Sequence, residues 1–252
     1  MDIKEEPNPN KIVIRKFNFT CDGTDDSIPA PLPRTYNHFM IITAKPKQGK
    51  TTLIYNLLTK KNKIYNKKFD RIYIFSPSLK TIDDDPFSEL EDEQKFSELT
   101  EENLQQVYDD VEDSGERVLL VMDDVVNDIK KNEGVEKLLC KMMMNRRHIC
   151  GRSDDGDSCG ISCWLTSQVF NKIPRPVRAS ASHHIIFKTS NKKELQTIFD
   201  ELILLEKPHF DQMLKFVYEK PFNFLFINSD EAFDKMYHKN FNRLKITMKD
   251  NV

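Results

Sequence analysis

Phe39-Met40-Ile41-Ile42-Thr43-Ala44-Lys45-Pro46-Lys47-Gln48-Gly49-Lys50-Thr51-Thr52 joins two different periodicities. Its first five residues form a short apolar run, the pattern of a strand covered on both faces. Beyond it Leu53, Ile54, Leu57 and Leu58 recur at helical spacing. Between the two, residues 44–51 match G-x-x-x-x-G-K-S/T with one departure: Ala44 stands where the first glycine belongs. A tight loop between strand and helix points successive N–H groups and the positive end of the helix at one place, which suits a phosphate. Gly49 lets the backbone come close, Lys50 reaches the β- and γ-phosphates, and the Thr51 hydroxyl holds Mg²⁺. The predicted nucleotide-binding set is therefore Ala44, Lys45, Pro46, Lys47, Gln48, Gly49, Lys50, Thr51 and Thr52. A basic surface loop is the plainer alternative, and the flanking strand and helix argue against it.

Outward from this loop the chain alternates. Arg71–Phe75 reads as a second strand, and residues 87–113 as helical in pieces. Val118-Leu119-Leu120-Val121-Met122 is a third strand ending in Asp123-Asp124, followed by a helix carrying Val135, Leu138, Leu139 and Met142. A loop rich in Gly, Ser and Asp at 151–160 leads to a fourth strand, Ile161–Leu165, that ends in Thr166-Ser167-Gln168. His184–Phe187 is a fifth, with a helix over 192–204, and Phe222 to Asn228 suggests another strand. Apolar strands alternating with helices indicate an α/β fold with a mainly parallel sheet and helices on both faces. Ligands in such sheets bind at the carboxyl ends of the strands, where the polar clusters fall. Residues 1–34, with Ile12-Val13-Ile14 and prolines at 29, 31 and 33, read as an N-terminal arm or edge strand. Residues 35–230 form the predicted domain, and 231–252 a peripheral C-terminal tail.

Asp123 ends a buried strand, so its carboxylate can support a magnesium ion as a Walker B aspartate does. Asp124 is then placed to orient and deprotonate an attacking water. Glutamate is more usual there, and aspartate is one methylene shorter. Arg71–Phe75 intervenes between the loop and the acidic pair, which fits P-loop ATPases of the additional-strand type, in which another strand stands between the Walker A and Walker B strands. These place a polar sensor at the end of the next strand, a role Gln168 can fill; a polar strand end is the bland alternative. The predicted catalytic residues are thus Asp124, Gln168 and Lys50, with Thr51 and Asp123 on the metal.

Composition bounds the rest. The chain has 252 residues, with 38 basic against 40 acidic side chains and a net charge of −2. From Asp83 to Glu116 stand 15 acidic residues and one base, Lys95, so an acidic insert interrupts an otherwise basic body. Phosphate binding stays open on such a body. Lys60, Lys61, Lys63, Lys67 and Lys68 put five lysines in nine residues, a cluster that could meet phosphates, but lysines closing a helix also favour its negative end. The five cysteines are scattered and read as free thiols; His148, Cys150, Cys159 and Cys163 cluster without a common zinc spacing. No uncharged apolar run approaches the roughly 18–20 residues of a bilayer-spanning helix, and the start lacks the apolar core of a signal peptide. The expectation is a protein of the cell interior with no membrane partner. Asn171-Lys172-Ile173-Pro174 lacks the aspartate that reads guanine, and Asp123-Asp124-Val125-Val126 lacks the glycine of a GTPase.

Four segments occur in a telling order: Ala44–Thr52, Asp123-Asp124, Asn145-Arg146-Arg147-His148 before a strand, and Thr166-Ser167-Gln168 with Ile173-Pro174 and Arg178. Over about residues 35–230 the chain resembles the genome-packaging ATPases of large double-stranded DNA viruses and virophages, a branch of the FtsK–HerA superfamily. The resemblance implies a RecA-like ATPase using ATP and Mg²⁺ that assembles as a ring, commonly a hexamer, and drives double-stranded DNA into a preformed capsid. It implies arginine fingers from the neighbouring subunit, for which Arg147 and Arg178 are the candidates, each equally readable as an ion-pair partner. The acidic insert would dock on a capsid or portal protein or keep the ring soluble. The implied site of action is the host cytoplasm at viral assembly sites, and the virion. Two other classes stay open: a nucleoside or nucleotide kinase with Arg146, Arg147 and Arg152 as a lid, and a nucleotide-gated scaffold without turnover.

Overall fold

A computed structural model describes residues 23–58, 64–78, 87, 90–154, 156 and 158–247. Strand β1 (Phe39–Thr43) is buried at every residue, as its apolar run requires. Phe39 and Ile41 face one layer, Met40 and Ile42 the other. After the loop comes helix α1 (Lys50–Leu58), then β2 (Arg71–Phe75), β3 (Lys95–Phe96), α2 (Glu101–Val111) and β4 (Arg117–Met122). Helices α3 (Val126–Lys131) and α4 (Glu133–Asn145) lead to β5 (Gly160–Ser167), α5 (Arg175–Ala179) and β6 (His183–Phe187). The chain ends in α6 (Lys192–Leu202), α7 (Lys207–Val217), β7 (Phe224–Asn228), β8 (Tyr237–Lys239) and β9 (Asn242–Arg243).

One sheet runs in the order β3-β2-β4-β5-β1-β6-β7-β8-β9. The first six strands are parallel, and β7, β8 and β9 add antiparallel. The α/β architecture with helices on both faces therefore holds, although unevenly. Helices α2 to α7 supply apolar residues to one layer; on the other, α1 shares the work with Ile28, Leu32, Tyr36, Tyr65, Phe69 and Phe87.

Several expectations are corrected. Arg71–Phe75 separates loop and acidic pair in sequence only: in the sheet it lies beyond β4, and β5 stands between β1 and β4. Among the described residues of 87–113, only Glu101–Val111 is α-helical; Asp92–Gln94 is a single 3₁₀ turn and Lys95–Phe96 an edge strand. Phe96 stacks on Phe75 at 4.6 Å, which holds that edge down, and Thr100 starts α2 by accepting the Asn103 N–H. Residues 231–247, the described part of the expected tail, are not peripheral throughout, because Tyr237 and His238 are buried in β8. Within the expected arm, Ile28 and Leu32 are core residues. Ile12-Val13-Ile14, Cys21, Asp83–Asp85 and Lys60, Lys61 and Lys63 lie outside the described residues.

Candidate functional site

The sheet order brings the two motif-bearing strands, β1 and β4, to either side of β5, with all three ending at one edge. The loop after β1 is tied to β5 at once, as the Ala44 N–H donates to the Ser167 carbonyl at 3.0 Å. Ala44 is not among the residues with positive φ, so the freedom of a glycine is not used there and alanine serves. Lys47 and Gly49 are the loop residues that turn left-handed, at φ 66° and 94°. Glycine suits the second of these. Gln48 braces the loop: its side-chain oxygen accepts the Lys45 N–H at 3.0 Å, and its amide donates to the Lys188 carbonyl at 2.8 Å. Lys45, Pro46 and Lys47 form an exposed rim, Thr51 is half-buried and Thr52 exposed.

Lys50 opens α1 and is 8% exposed. Its ammonium lies 2.5 Å from Asp124 Oδ1 and 3.3 Å from Asp123 Oδ1. Two segments more than seventy residues apart thus meet at one charged point. Asp123 is fixed by Thr166, whose hydroxyl donates to Oδ1 at 2.7 Å. The same hydroxyl oxygen accepts the Asp124 N–H at 3.0 Å. Asp124 sits at φ 58°, a left-handed conformation that aspartate tolerates better than most residues. Beside it a cleft of about 150 Å³ is bordered by Asp124, Asn127, Gln168 and Lys172. Gln168 is exposed there, after a turn in which Ser167 Oγ donates to the Val169 carbonyl and accepts the Val169 N–H.

The donor set suits a hard divalent ion. Two carboxylates and the Thr51 hydroxyl offer oxygens only, and a positive ammonium already stands between the carboxylates. Lys50, Asp123 and Asp124 are brought together, Gln168 borders the same cleft as Asp124, and Thr51 follows Lys50 in the first turn of α1.

The two arginine candidates are placed elsewhere. Arg178 is bidentate to Glu201, with Nε to Oε2 at 2.8 Å and Nη2 to Oε1 at 2.5 Å, and it also donates to the Ile173 carbonyl. Its side chain is 9% exposed and lies over the Phe170 ring. Arg147 follows α4 beside Arg146, whose carbonyl accepts the Ile161 N–H at the start of β5. That is the opposite end of the strands from Lys50. Arg152 lies at that far end too, against Gly115 just before β4. The cluster Arg146, Arg147 and Arg152 therefore cannot close over the phosphate loop of its own subunit.

Three residues of the site were not singled out by the sequence: Thr166 as a bridge, and Asn127 and Lys172 on the cleft wall. Thr166 did carry a signal, a hydroxyl straight after the apolar run Cys163-Trp164-Leu165 on the strand that pairs with the one leading to Asp123. Cys140, Cys150, Cys159 and Cys163 are free thiols. Burial raises the thiol of Cys150 to about 12 and pushes that of Cys163 further up, so neither is a nucleophile near neutrality.

Solved structures with this arrangement include the genome packaging NTPase B204 from Sulfolobus turreted icosahedral virus 2, in complex with sulfate. It is 15% identical with a TM-score of 0.55, over 84% of this chain and 100% of that one. The fold is that of a RecA-like P-loop ATPase. The same NTPase in complex with ATP-gammaS matches at 15% identity and TM-score 0.53, over 83% of this chain and 99% of that one. B204, the DNA-packaging ATPase from Sulfolobus turreted icosahedral virus, matches at 16% and 0.55, over 82% and 98%. No protein-family model and no curated protein matches the sequence. The likeness is one of fold, and it agrees with the resemblance to FtsK–HerA packaging ATPases drawn from the motifs. Ligands of parallel α/β sheets bind beyond the carboxyl ends of the strands, and Lys50, Asp123, Asp124 and Gln168 stand there at the ends of β1, β4 and β5. Among the described residues no helix is long and apolar enough to cross a membrane.

Proposed function

We propose that this chain is an ATP-driven motor that packages double-stranded viral DNA into a capsid, hydrolysing ATP at the subunit interfaces of a ring, commonly a hexamer. The observation that carries the reading is the convergence of Lys50 on Asp123 and Asp124. With nucleotide bound, Lys50 leaves the carboxylates for the β- and γ-phosphates, and the backbone N–H groups of Lys47, Gly49, Lys50 and Thr51 surround them. Thr51 and Asp123 would hold Mg²⁺, which offsets phosphate charge. Asp124, on the cleft, positions the attacking water and takes its proton, and Gln168 contacts the γ-phosphate or that water. The DNA-packaging description of the fold neighbours supports the choice of duplex DNA as the track.

Contacts to duplex DNA in such a motor go to phosphates and ignore sequence. Lys68 is not available for this, being paired to Asp25 at 2.8 Å. Of the two candidates for a finger in trans we favour Arg147, which stands at the end of the strands away from its own Lys50. A capsid or portal protein is the partner for docking, and the assembly site in the host cytoplasm, with the virion, is the place of action. The kinase reading loses support because its arginine lid stands at the wrong end of the sheet.

Phosphate release measured with and without long duplex DNA, at concentrations where oligomers form, tests the motor. Release should rise with DNA, and Lys50→Ala should abolish it. Hydrolysis indifferent to nucleic acid rejects the motor; ATP binding without any release favours a nucleotide-gated scaffold.

A further inference from the structure

A groove of about 550 Å³ runs from Gly49 and Thr52 along α1 to the aromatic residues that end β6 and begin β7. Its floor is Phe187, Phe224 and Phe241. Phe224 lies 5.3 Å from Phe187 and 5.1 Å from Phe241 between ring centroids. Its lip is Phe222, 68% exposed and held at φ 65°. A bulky residue in the left-handed region is strained, and exposing an aromatic ring to water adds to the cost. The Phe222 ring also reaches to 3.6 Å from where a side chain on Gly49 would begin, so it borders the phosphate loop directly.

The sheet order fixes what lies on each side of that loop. Asp123 and Asp124 approach from β4, whereas the groove lies on the side of β6 and β7. A triphosphate bound with its γ end toward the carboxylates must send its sugar and base the other way, into the groove. Resting on the nucleotide reading above, we infer that this groove is the base and ribose subsite, with Phe222 as the platform on which the base stacks. The polar side chains on its rim are largely engaged. Gln48 braces the loop through both ends of its amide, and Asn56 donates to the Thr52 carbonyl at 2.8 Å. Stacking on an aromatic face does not distinguish bases, because every base presents one. The subsite therefore holds purine nucleoside triphosphates with little preference for adenine over guanine.

Calorimetric titration of the full chain with ATP, GTP and inorganic tripolyphosphate, each with magnesium, tests this. The wild type should bind ATP and GTP within about threefold of each other, and both more tightly than tripolyphosphate. Phe222→Ala should weaken ATP and GTP about tenfold and leave tripolyphosphate unchanged, the size expected for one lost stacking contact; Phe222→Tyr should restore both. Unchanged ATP affinity in Phe222→Ala overturns the subsite, as does a shift in oligomer mass with no change in affinity, which would assign the ring to a subunit contact. A preference above about thirtyfold between ATP and GTP overturns the tolerance. Tripolyphosphate that fails to bind, or binds equally well to Lys50→Ala, sinks the phosphate site itself and the subsite with it.

Discussion

Thr166 does two jobs with one hydroxyl, giving its proton to Asp123 and accepting the Asp124 N–H. The hydroxyl is fully buried, so no water can replace it when it is removed. Valine keeps the shape and loses both bonds. Thr166→Val should leave nucleotide affinity within about twofold, since the partners of its hydroxyl are Asp123 and Asp124 rather than the loop. Asp123 and Asp124 would lose their fixed orientation, and outer-shell partners of this kind are worth about 10- to 100-fold. The phosphate-release rate should fall by that factor, with about 1–3 kcal/mol of stability lost for the unpaired groups. A rate unchanged in steady-state assays would show that the acidic pair is held by the strand end alone.

Between elements, the decisive contact is Arg178 on Glu201, which binds α5 to α6 beneath Phe170. A finger in trans and a buried clamp make opposite predictions for Arg178→Ala. The clamp predicts a loss of about 1–3 kcal/mol, read as a fall in thermal midpoint, because Glu201 is left partly buried without its partner. A finger predicts an unchanged midpoint and lost hydrolysis, restored by mixing with a subunit that lacks Lys50. The clamp outcome is expected. Sequence could place Arg178 next to Ile173-Pro174 but not reveal Glu201, twenty-three residues on, as its partner. The β1–loop–α1 unit, by contrast, was legible because every feature is local: an apolar run, a glycine, a lysine, a helical stripe. So were β4 to Asp123 and β5 to Gln168. Helix α7 went unread although Phe210, Met213 and Val217 carry its buried stripe and a proline lies in its first turn; its three apolar positions are thinly spread. The place of β2 was misread for a deeper reason, since neighbours in a parallel sheet follow from packing and not from order along the chain. Strands β8 and β9 are too short for alternation to show.

At the scale of the whole molecule, the end of the sheet away from Lys50 is filled with neutral imidazoles. Trp164 Nε1–H donates to His38 Nε2 at 2.8 Å, so that nitrogen carries no proton, and His38 Nδ1 donates to the Thr35 carbonyl at 2.7 Å. Burial lowers His38 to about 4, against a raising contribution from the Thr35 carbonyl and a lowering one from Arg146. Burial also lowers His184 to about 4, against raising contributions from the Ala181 backbone and from Glu201. His183 is pushed down by burial first and then by the neighbouring imidazoles His38 and His184. A group whose folded value lies below its unfolded one, about 6.5 for histidine, is held neutral while the unfolded chain takes up a proton. Its stability contribution is complete above pH 6.5 and drains away as pH falls toward 4. At pH 5 the loss is about 2 kcal/mol for each of His38 and His184, or roughly ten degrees in thermal midpoint for a chain of this size. The nucleotide site has no histidine, so this sensitivity belongs to the fold. Calorimetry between pH 7.5 and 5 should show that fall. His184→Asn, which cannot titrate, should start from a lower midpoint and lose less on acidification. A midpoint flat across that range in the wild type would mean that the far end of the sheet admits water, and that its imidazoles are not the sealed layer the packing describes.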